Sequence, residues 1–230
     1  MVDIIRKYSP VPLTPEQVDL MQKVAERLAE KNKVVNLTAI TDENQTAELH
    51  FIDSIYPVST GRISGRVLDV GSGGGFPGIP VAIATGLNVT CLDATRKKLD
   101  FIDETASALG LVNIHTLCGR AEELAQDKKH REKYDTVLSR GVARLNVLCE
   151  WCMPYVKLNG CFIAMKGSNA GEEVAEAENA IKTLGGELVD IIQYKLELSG
   201  HVHSLVIIKK VKPTPTVYPR RNSQIMKKPL

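Results

Sequence analysis

The residues best suited to chemistry lie where Val67-Leu68-Asp69-Val70 runs into Gly71-Ser72-Gly73-Gly74-Gly75-Phe76-Pro77-Gly78. Glycine lets the main chain take positive φ and lets a ligand lie against bare backbone. Five glycines in eight residues cost much backbone entropy, which favours a ligand cradle over a ligand-free turn. Gly73 to Gly78 formally satisfies G-x-G-x-x-G, a pattern too common to choose the ligand. Asp69 helps to choose. A carboxylate two residues before the first glycine suits a ligand with positive charge nearby, such as the amino acid part of S-adenosylmethionine, better than a pyrophosphate. Asp93, 22 residues after Gly71, ends the next strand-like run and could accept both ribose hydroxyls of either nucleotide family. Gly119-Arg120-Ala121-Glu122 follows the third run, in the place where methyltransferases flank adenine.

Around this cradle stand further candidates. Arg120, Arg140 and Lys166 each follow a different strand end. Converging, they would line one rim and grip phosphates or a base edge; Lys166 reads equally as a solvated strand end. Arg96, Lys97 and Lys98 open a helix where cations oppose the macrodipole, which hints at phosphate binding. His50 and Asp53, three apart, share one face of a helix, as a polar packing pair or as groups at the cleft mouth. Asn36 is either a cap on the loop joining two helices or a contact to the substrate. Cys149 and Cys152 form half a zinc site at most, with no second pair or clustered histidines, so they read as helix packing and no metal is expected. Trp151, between them, reads as a core or interface residue.

Elements of two kinds must position these groups. Thr14-Pro15-Glu16-Gln17 is a helix start with N-cap, first-turn proline and capping-box glutamine. That helix runs to about Lys31 with Val18, Met21, Val24, Ala25 and Leu28 on one stripe. A second helix starts near Asp42. From Arg66 the pattern alternates. Strand-like runs are Val67–Val70, Val89–Leu92, Val112–Leu117, Tyr134–Leu138 and Cys161–Met165, and helix-like runs are 78–85, 96–109, 121–130, 144–156 and 170–184. This predicts an α/β fold with a parallel sheet and right-handed crossovers, ligands lying beyond the strands' carboxyl ends. Glu187–Leu198 and Val202–Val211, joined at Ser199-Gly200, close it with an antiparallel hairpin. Pro213, Pro215 and Pro219 are expected to keep the tail irregular. The division is 1–60 as a helical extension packed on the catalytic domain, 61–211 as that domain, and 212–230 as a basic tail.

Composition bounds the rest. The chain has 230 residues, 43% hydrophobic and 24% charged, ordinary for a globular protein and unlike a disordered one. Five cysteines, an odd number, argue against a secreted disulfide framework; a cytoplasmic location is expected. No run of about 18 apolar residues suggests a membrane span, and the first residues lack the order of a signal peptide. The net charge of +2 is uneven: residues 209–230 hold seven of the 29 basic residues and no acid, leaving 22 bases against 27 acids in the body. Such a tail fits a polyanionic partner such as nucleic acid, or merely a solvated terminus.

Val67–Pro80, Asp93-Ala94-Thr95-Arg96-Lys97-Lys98, Gly119-Arg120-Ala121-Glu122, Ser139-Arg140-Gly141-Val142-Ala143 and Ala164-Met165-Lys166-Gly167, in this order and spacing, resemble the bacterial RsmG family, also called GidB. Asn36-Leu37-Thr38, His50-Phe51-Ile52-Asp53-Ser54, Tyr218-Pro219-Arg220-Arg221 and Lys227-Lys228-Pro229 extend the likeness over nearly the whole chain. Two departures are Lys31, where many members carry tryptophan, and Asn222–Met226, where a Gly-x-Pro is common. The resemblance implies a Rossmann-like class I S-adenosylmethionine-dependent methyltransferase fold, with a mostly parallel seven-stranded sheet ending in the hairpin. It also implies methylation of guanine N7 in the 530 loop of 16S ribosomal RNA, with the RNA or the small ribosomal subunit as partner; a monomer is expected. Carried over by position, cofactor contacts would be Gly71, Phe76, Asp93-Ala94-Thr95, Ala121-Glu122 and Arg140; Asp69 and Gly73 join them from the loop reading above.

Guanine N7 carries an in-plane lone pair and needs no proton removed, so the chemistry asks for positioning and water exclusion. Methylation at pyrimidine C5 would need a cysteine nucleophile. Exocyclic amino methylation often uses an Asn/Asp-Pro-Pro-aromatic loop after the fourth strand, where this chain has Ser139-Arg140-Gly141. Rival readings are a methyltransferase acting on another nucleic acid or a small molecule, a non-catalytic RNA-binding scaffold, and a nicotinamide dehydrogenase.

Overall fold

A computed structural model describes residues 1–230. Five parallel strands, β1 Val67–Val70, β2 Val89–Asp93, β3 Ile114–Cys118, β4 Tyr134–Arg140 and β5 Val156–Lys166, are joined through helices. The hairpin β6 Gly186–Lys195 and β7 Val202–Lys210 completes a seven-stranded sheet of order β3-β2-β1-β4-β5-β7-β6, with β7 antiparallel to both neighbours. The order reverses between β1 and β4, where an open α/β sheet leaves a crevice beyond its strand ends.

Strand alternation divides the core into two layers. Leu138, Ile163 and Ile207 face one, while Val137, Phe162 and Val206 face the other. The first layer is covered by α1 Val2–Tyr8, α2 Pro15–Asn32, α3 Glu43–Gln45 with the segment that follows it, α4 Asp53–Ser59, α5 Gly78–Thr85 and α6 Arg96–Leu109. Ile5, Met21, Leu28, Phe51 and Ile55 share it with the sheet, so the N-terminal helices bury one continuous core with the alternating region. The second layer is covered by α7 Ala121–Leu124, α8 Leu145–Cys152 and α9 Ala170–Thr183. No helix is long and apolar enough to cross a membrane.

Helix α2 forms as its sequence predicts. Thr14 Oγ1 accepts from Gln17 N at 3.3 Å, and Gln17 Oε1 accepts from Thr14 N at 2.9 Å. Gln17 Nε2 also donates to Ile83 O, which docks the cap on α5. The second helix differs from expectation. Asp42 caps Gln45 at 2.9 Å, but after α3 the chain widens into a π-helix over Thr46–Ile52 before α4. Such π segments often sit at functional sites.

Several boundaries move. β3 starts at Ile114 and leaves Val112 exposed; α7 ends at Leu124, not 130. The helix expected to reach 156 stops at Cys152. Pro154 sits in a 3₁₀ turn, Met153–Tyr155, and β5 begins at once at Val156; proline lacks the donor that α8 would need to continue. The tail is not wholly irregular, because α10 Asn222–Lys227 follows its prolines. The α10 segment is anchored by Ile225, which is fully buried.

Candidate active site

A cavity of about 190 Å³ opens beyond the carboxyl ends of β1, β2 and β3. Val70 and Gly71 line it from β1, Leu92, Asp93 and Ala94 from β2, and Gly119, Arg120, Ala121 and Glu122 from the turn into α7. Val142, beside Gly71, and Trp151 and Asn222 complete the lining. Two glycines are indispensable to the loop. Gly71 has φ +75°, and a Cβ there would stand 2.6 Å from Val142 Cγ2. At Gly78 a Cβ would meet Cys91 Sγ at 2.6 Å and Asp69 Oδ2 at 2.9 Å.

The two acids of the loop do different work. Asp93 Oδ2 accepts from Gly73 N at 3.0 Å and Oδ1 from Thr95 N at 2.8 Å. It ties the glycine loop to the end of β2, and each oxygen keeps lone-pair capacity for a ribose hydroxyl. Asp69 departs from its expected place. It lies fully buried beneath the loop, off the cavity wall, with Oδ2 accepting from Gly78 N at 2.8 Å and Oδ1 unpartnered. Burial raises its pKa to about 7, and its bond to Gly78 N holds the start of α5. Ala94 and Glu122 reach the cavity; Thr95 does not, and contributes its backbone N–H to Asp93.

The three basic residues do not form one free rim. Arg120 is exposed on the cavity edge. Arg140 Nη1 turns toward the N-terminal helices, donating to Asp53 Oδ2 at 2.8 Å and Leu49 O at 2.6 Å. Its guanidinium lies 6.0 Å from the Phe76 ring, which keeps it beside the glycine loop. Lys166 Nζ pairs with Glu173 at 2.7 Å and donates to Ala143 O at 2.8 Å, steadying the turn after β4.

His50 and Asp53 flank the change from π to α winding and reach different partners. The His50 ring stacks on Phe76 at 4.5 Å, and its Nε2 lies 2.8 Å from Thr38 Oγ1. Burial, with help from Arg140, lowers its pKa to about 4, so the ring is neutral. Asp53 Oδ1 accepts from Tyr194 Oη at 2.7 Å and is 2.8 Å from His203 Nδ1, while Oδ2 takes Arg140. Burial opposes the Asp53 charge, yet the His203 bond, Arg140 and Tyr194 together hold its pKa below the usual carboxylate value. The His203 pKa is raised, chiefly by that bond. Asn36 is exposed and caps nothing; Asn32 does that work, with Oδ1 accepting from Leu37 N and Thr38 N.

Sequence reasoning missed Tyr194, His203 and Glu48. Glu48 is buried and accepts from Leu198 N at 2.6 Å and Ser199 N at 2.9 Å, gripping the hairpin turn. These partners lie about 140 to 150 residues apart in sequence, and no local spacing signals them. A buried glutamate in a helical stripe was the one available cue. Cys149 and Cys152 are buried in the second core layer, burial raises the pKa of both thiols, and no group of three or more metal-ligating side chains gathers anywhere.

A bare-backbone loop at the switch point, a carboxylate ending β2 and a closing antiparallel hairpin define a class I S-adenosylmethionine-dependent methyltransferase. Solved structures share this fold. An O-methyltransferase from Bacillus cereus, in complex with SAH, aligns with a TM-score of 0.61 at 15% identity, over 91% of this chain and 100% of its own. A putative O-methyltransferase from Klebsiella pneumoniae gives 0.59 at 14% identity, over 91% and 95%. The chain belongs to the GidB family, rRNA small subunit methyltransferase G, whose model matches residues 17–202. Proteins called ribosomal RNA small subunit methyltransferase G are 47% identical in Desulforamulus reducens, over 95% of this chain and 92% of theirs, and 46% identical in Clostridium tetani, over 90% and 88%. The cofactor is S-adenosylmethionine. The cavity suits it: Gly71 has no side chain on the wall, and two of the lining residues, Trp151 and Asn222, carry buried polar atoms, Nε1 and Oδ1, without protein partners.

Proposed function

We propose that the protein methylates N7 of a guanine in the 530 loop of 16S ribosomal RNA, acting in the cytoplasm as a monomer on the RNA or the small subunit. The observation that carries this reading is a cofactor cleft whose wall holds no cysteine, histidine or lysine. Family membership and relatives named for small-subunit ribosomal RNA support the substrate class.

S-adenosylmethionine supplies a methyl group on a sulfonium sulfur. The loop and Asp93 would hold it with that methyl carbon offered to the N7 lone pair and the neutral thioether as leaving group. No proton leaves N7, so the chain needs no general base there. Its residues bind and orient instead, and well-oriented reactants gain on the order of 7–11 kcal/mol. Gly71 and Asp93 would hold the cofactor, Asp93 with lone pairs left for the ribose hydroxyls. Phe76 and His50, stacked, wall the loop toward the N-terminal helices. Arg140 is held by Asp53 beside Phe76, with its direction set by three elements. Arg120, exposed at the edge, is placed to meet RNA phosphate.

The test is methyl transfer from labelled cofactor to naked 16S RNA and to small subunits, followed by mass mapping. A single N7-methylguanine within the 530 loop is the expected product. Transfer to any other base or atom, or to a small molecule alone, would refute the assignment, and RNA binding without transfer would favour a scaffold.

A further inference from the structure

We propose that the C-terminal tail is a wall of the cofactor pocket and that Asn222, with Trp151, reads the amino-bearing edge of the cofactor's purine. The proposal rests on the cleft being the S-adenosylmethionine site.

Two atoms carry it. Trp151 Nε1 and Asn222 Oδ1 are buried, neither has a hydrogen-bond partner in the protein, and both residues line the cavity. An indole N–H only donates and an amide oxygen only accepts. A buried donor and a buried acceptor left unpaired in two residues of one cavity are costly to keep, and native proteins rarely keep them without a purpose. Adenine presents the complement along one edge: an exocyclic N–H donor beside a ring-nitrogen acceptor. Asn222 Oδ1 takes the amino hydrogen, and Trp151 Nε1 donates to the ring nitrogen.

The tail is built to hold Asn222 there. Arg220, two residues before it, makes a forked pair with Glu150, Nη2 to Oε2 at 2.6 Å and Nε to Oε1 at 2.9 Å. Glu150 is fully buried and immediately precedes Trp151. One ion pair therefore sets the two purine readers relative to each other. Upstream, the Arg131 guanidinium donates to the carbonyl oxygens of Thr214, Pro215 and Tyr218, and Gln126 Nε2 donates to Pro219 O at 2.7 Å. A tail kept only for RNA would not need its backbone tied at four carbonyls.

The experiment uses the full chain and two ligands, S-adenosylhomocysteine and S-inosylhomocysteine, in which a carbonyl replaces the amino group and the adjacent ring nitrogen gains a hydrogen. Calorimetry on the wild type is expected to show at least ~10-fold preference for the adenine form, because the 6-oxo edge reverses both hydrogen bonds. Asn222→Leu and Trp151→Phe should each weaken S-adenosylhomocysteine binding roughly 5- to 10-fold. In Asn222→Leu the preference should shrink to about 2- to 3-fold. The preference is a ratio within one protein, so altered folding does not mimic it. Trp151 is the only tryptophan, so saturating S-adenosylhomocysteine should change the wild-type indole emission. Wild-type affinity and preference in both variants, or an emission unmoved at saturation, would overturn the proposal while leaving the cofactor reading intact. A wild type that binds neither ligand would sink both.

Discussion

Asp53 gathers Arg140, His203 and Tyr194 around one buried carboxylate. Asp53→Ala would leave Arg140 without its counter-charge. Breaking a buried pair costs roughly 3–5 kcal/mol, and the partial exposure of Arg140 places this variant toward the lower end. Urea unfolding measures it; a loss under about 1 kcal/mol would mean that the network is decorative. In the wild type, His203 should titrate by NMR above its ordinary value of 6.5, and Asp53→Asn should bring it back down. His50 has the opposite sign. Its folded pKa, about 4, lies below the ordinary 6.5, so in acid the unfolded chain takes a proton that the folded ring refuses. Stability is lost as pH falls through 6.5 and the loss levels off below about 4, up to ~3 kcal/mol. Asp69, with its raised pKa, favours the folded state in acid over the same window. The comparison that isolates the ring is wild type against His50→Gln: the stability difference between them should narrow or reverse from pH 7 to pH 4, and a constant difference would refute the assignment.

At the scale of elements, the glycine loop and the π segment are the two joints of the site. Gly78→Ala forces a methyl onto Asp69 and Cys91, and overpacking of this kind costs about 1–3 kcal/mol. It should lower stability first. Gly71→Ala pays ~1–2 kcal/mol for the left-handed backbone and pushes on Val142, which is exposed and can shift, so it should weaken S-adenosylhomocysteine binding by roughly tenfold or more with the smaller loss of stability. Equal effects on affinity from the two variants would contradict this division. The π segment acts through Glu48, whose carboxylate holds Leu198 N and Ser199 N. Glu48→Ala leaves both without that acceptor, and their amide hydrogen exchange should quicken by about tenfold or more.

For the molecule as a whole, the tail changes meaning. Its charge suggests a loose polyanion-binding arm, but Arg220 is paired with Glu150 and α10 buries Ile225. Arg220→Met keeps the stem and strands a fully buried carboxylate. The thermal midpoint should fall by roughly 6–12 °C, and a midpoint within about 2 °C of wild type would show the pair to be dispensable. Arg221, Lys227 and Lys228 remain exposed, so the salt dependence of RNA binding reports them and Arg120 rather than Arg220.

The alternation of strands and helices, the hairpin and the place of the glycine loop were legible because each rests on local facts: strand and helix periods, glycine at the turn, Asp93 at the end of its strand. The capping box of α2 was legible for the same reason; the order of the strands in the sheet was not. What tertiary structure alone decided is the partner of each polar side chain. Arg140 and Lys166 look like free cations in sequence and prove to be paired. Asp69 looks like a ligand contact and lies beneath the loop. Trp151 and Asn222, 71 residues apart in sequence, meet at one cavity. Backbone pattern is a property of a few neighbouring residues. Which buried donor meets which acceptor depends on how distant segments pack, since burial makes an unpaired group costly and local spacing does not specify its partner.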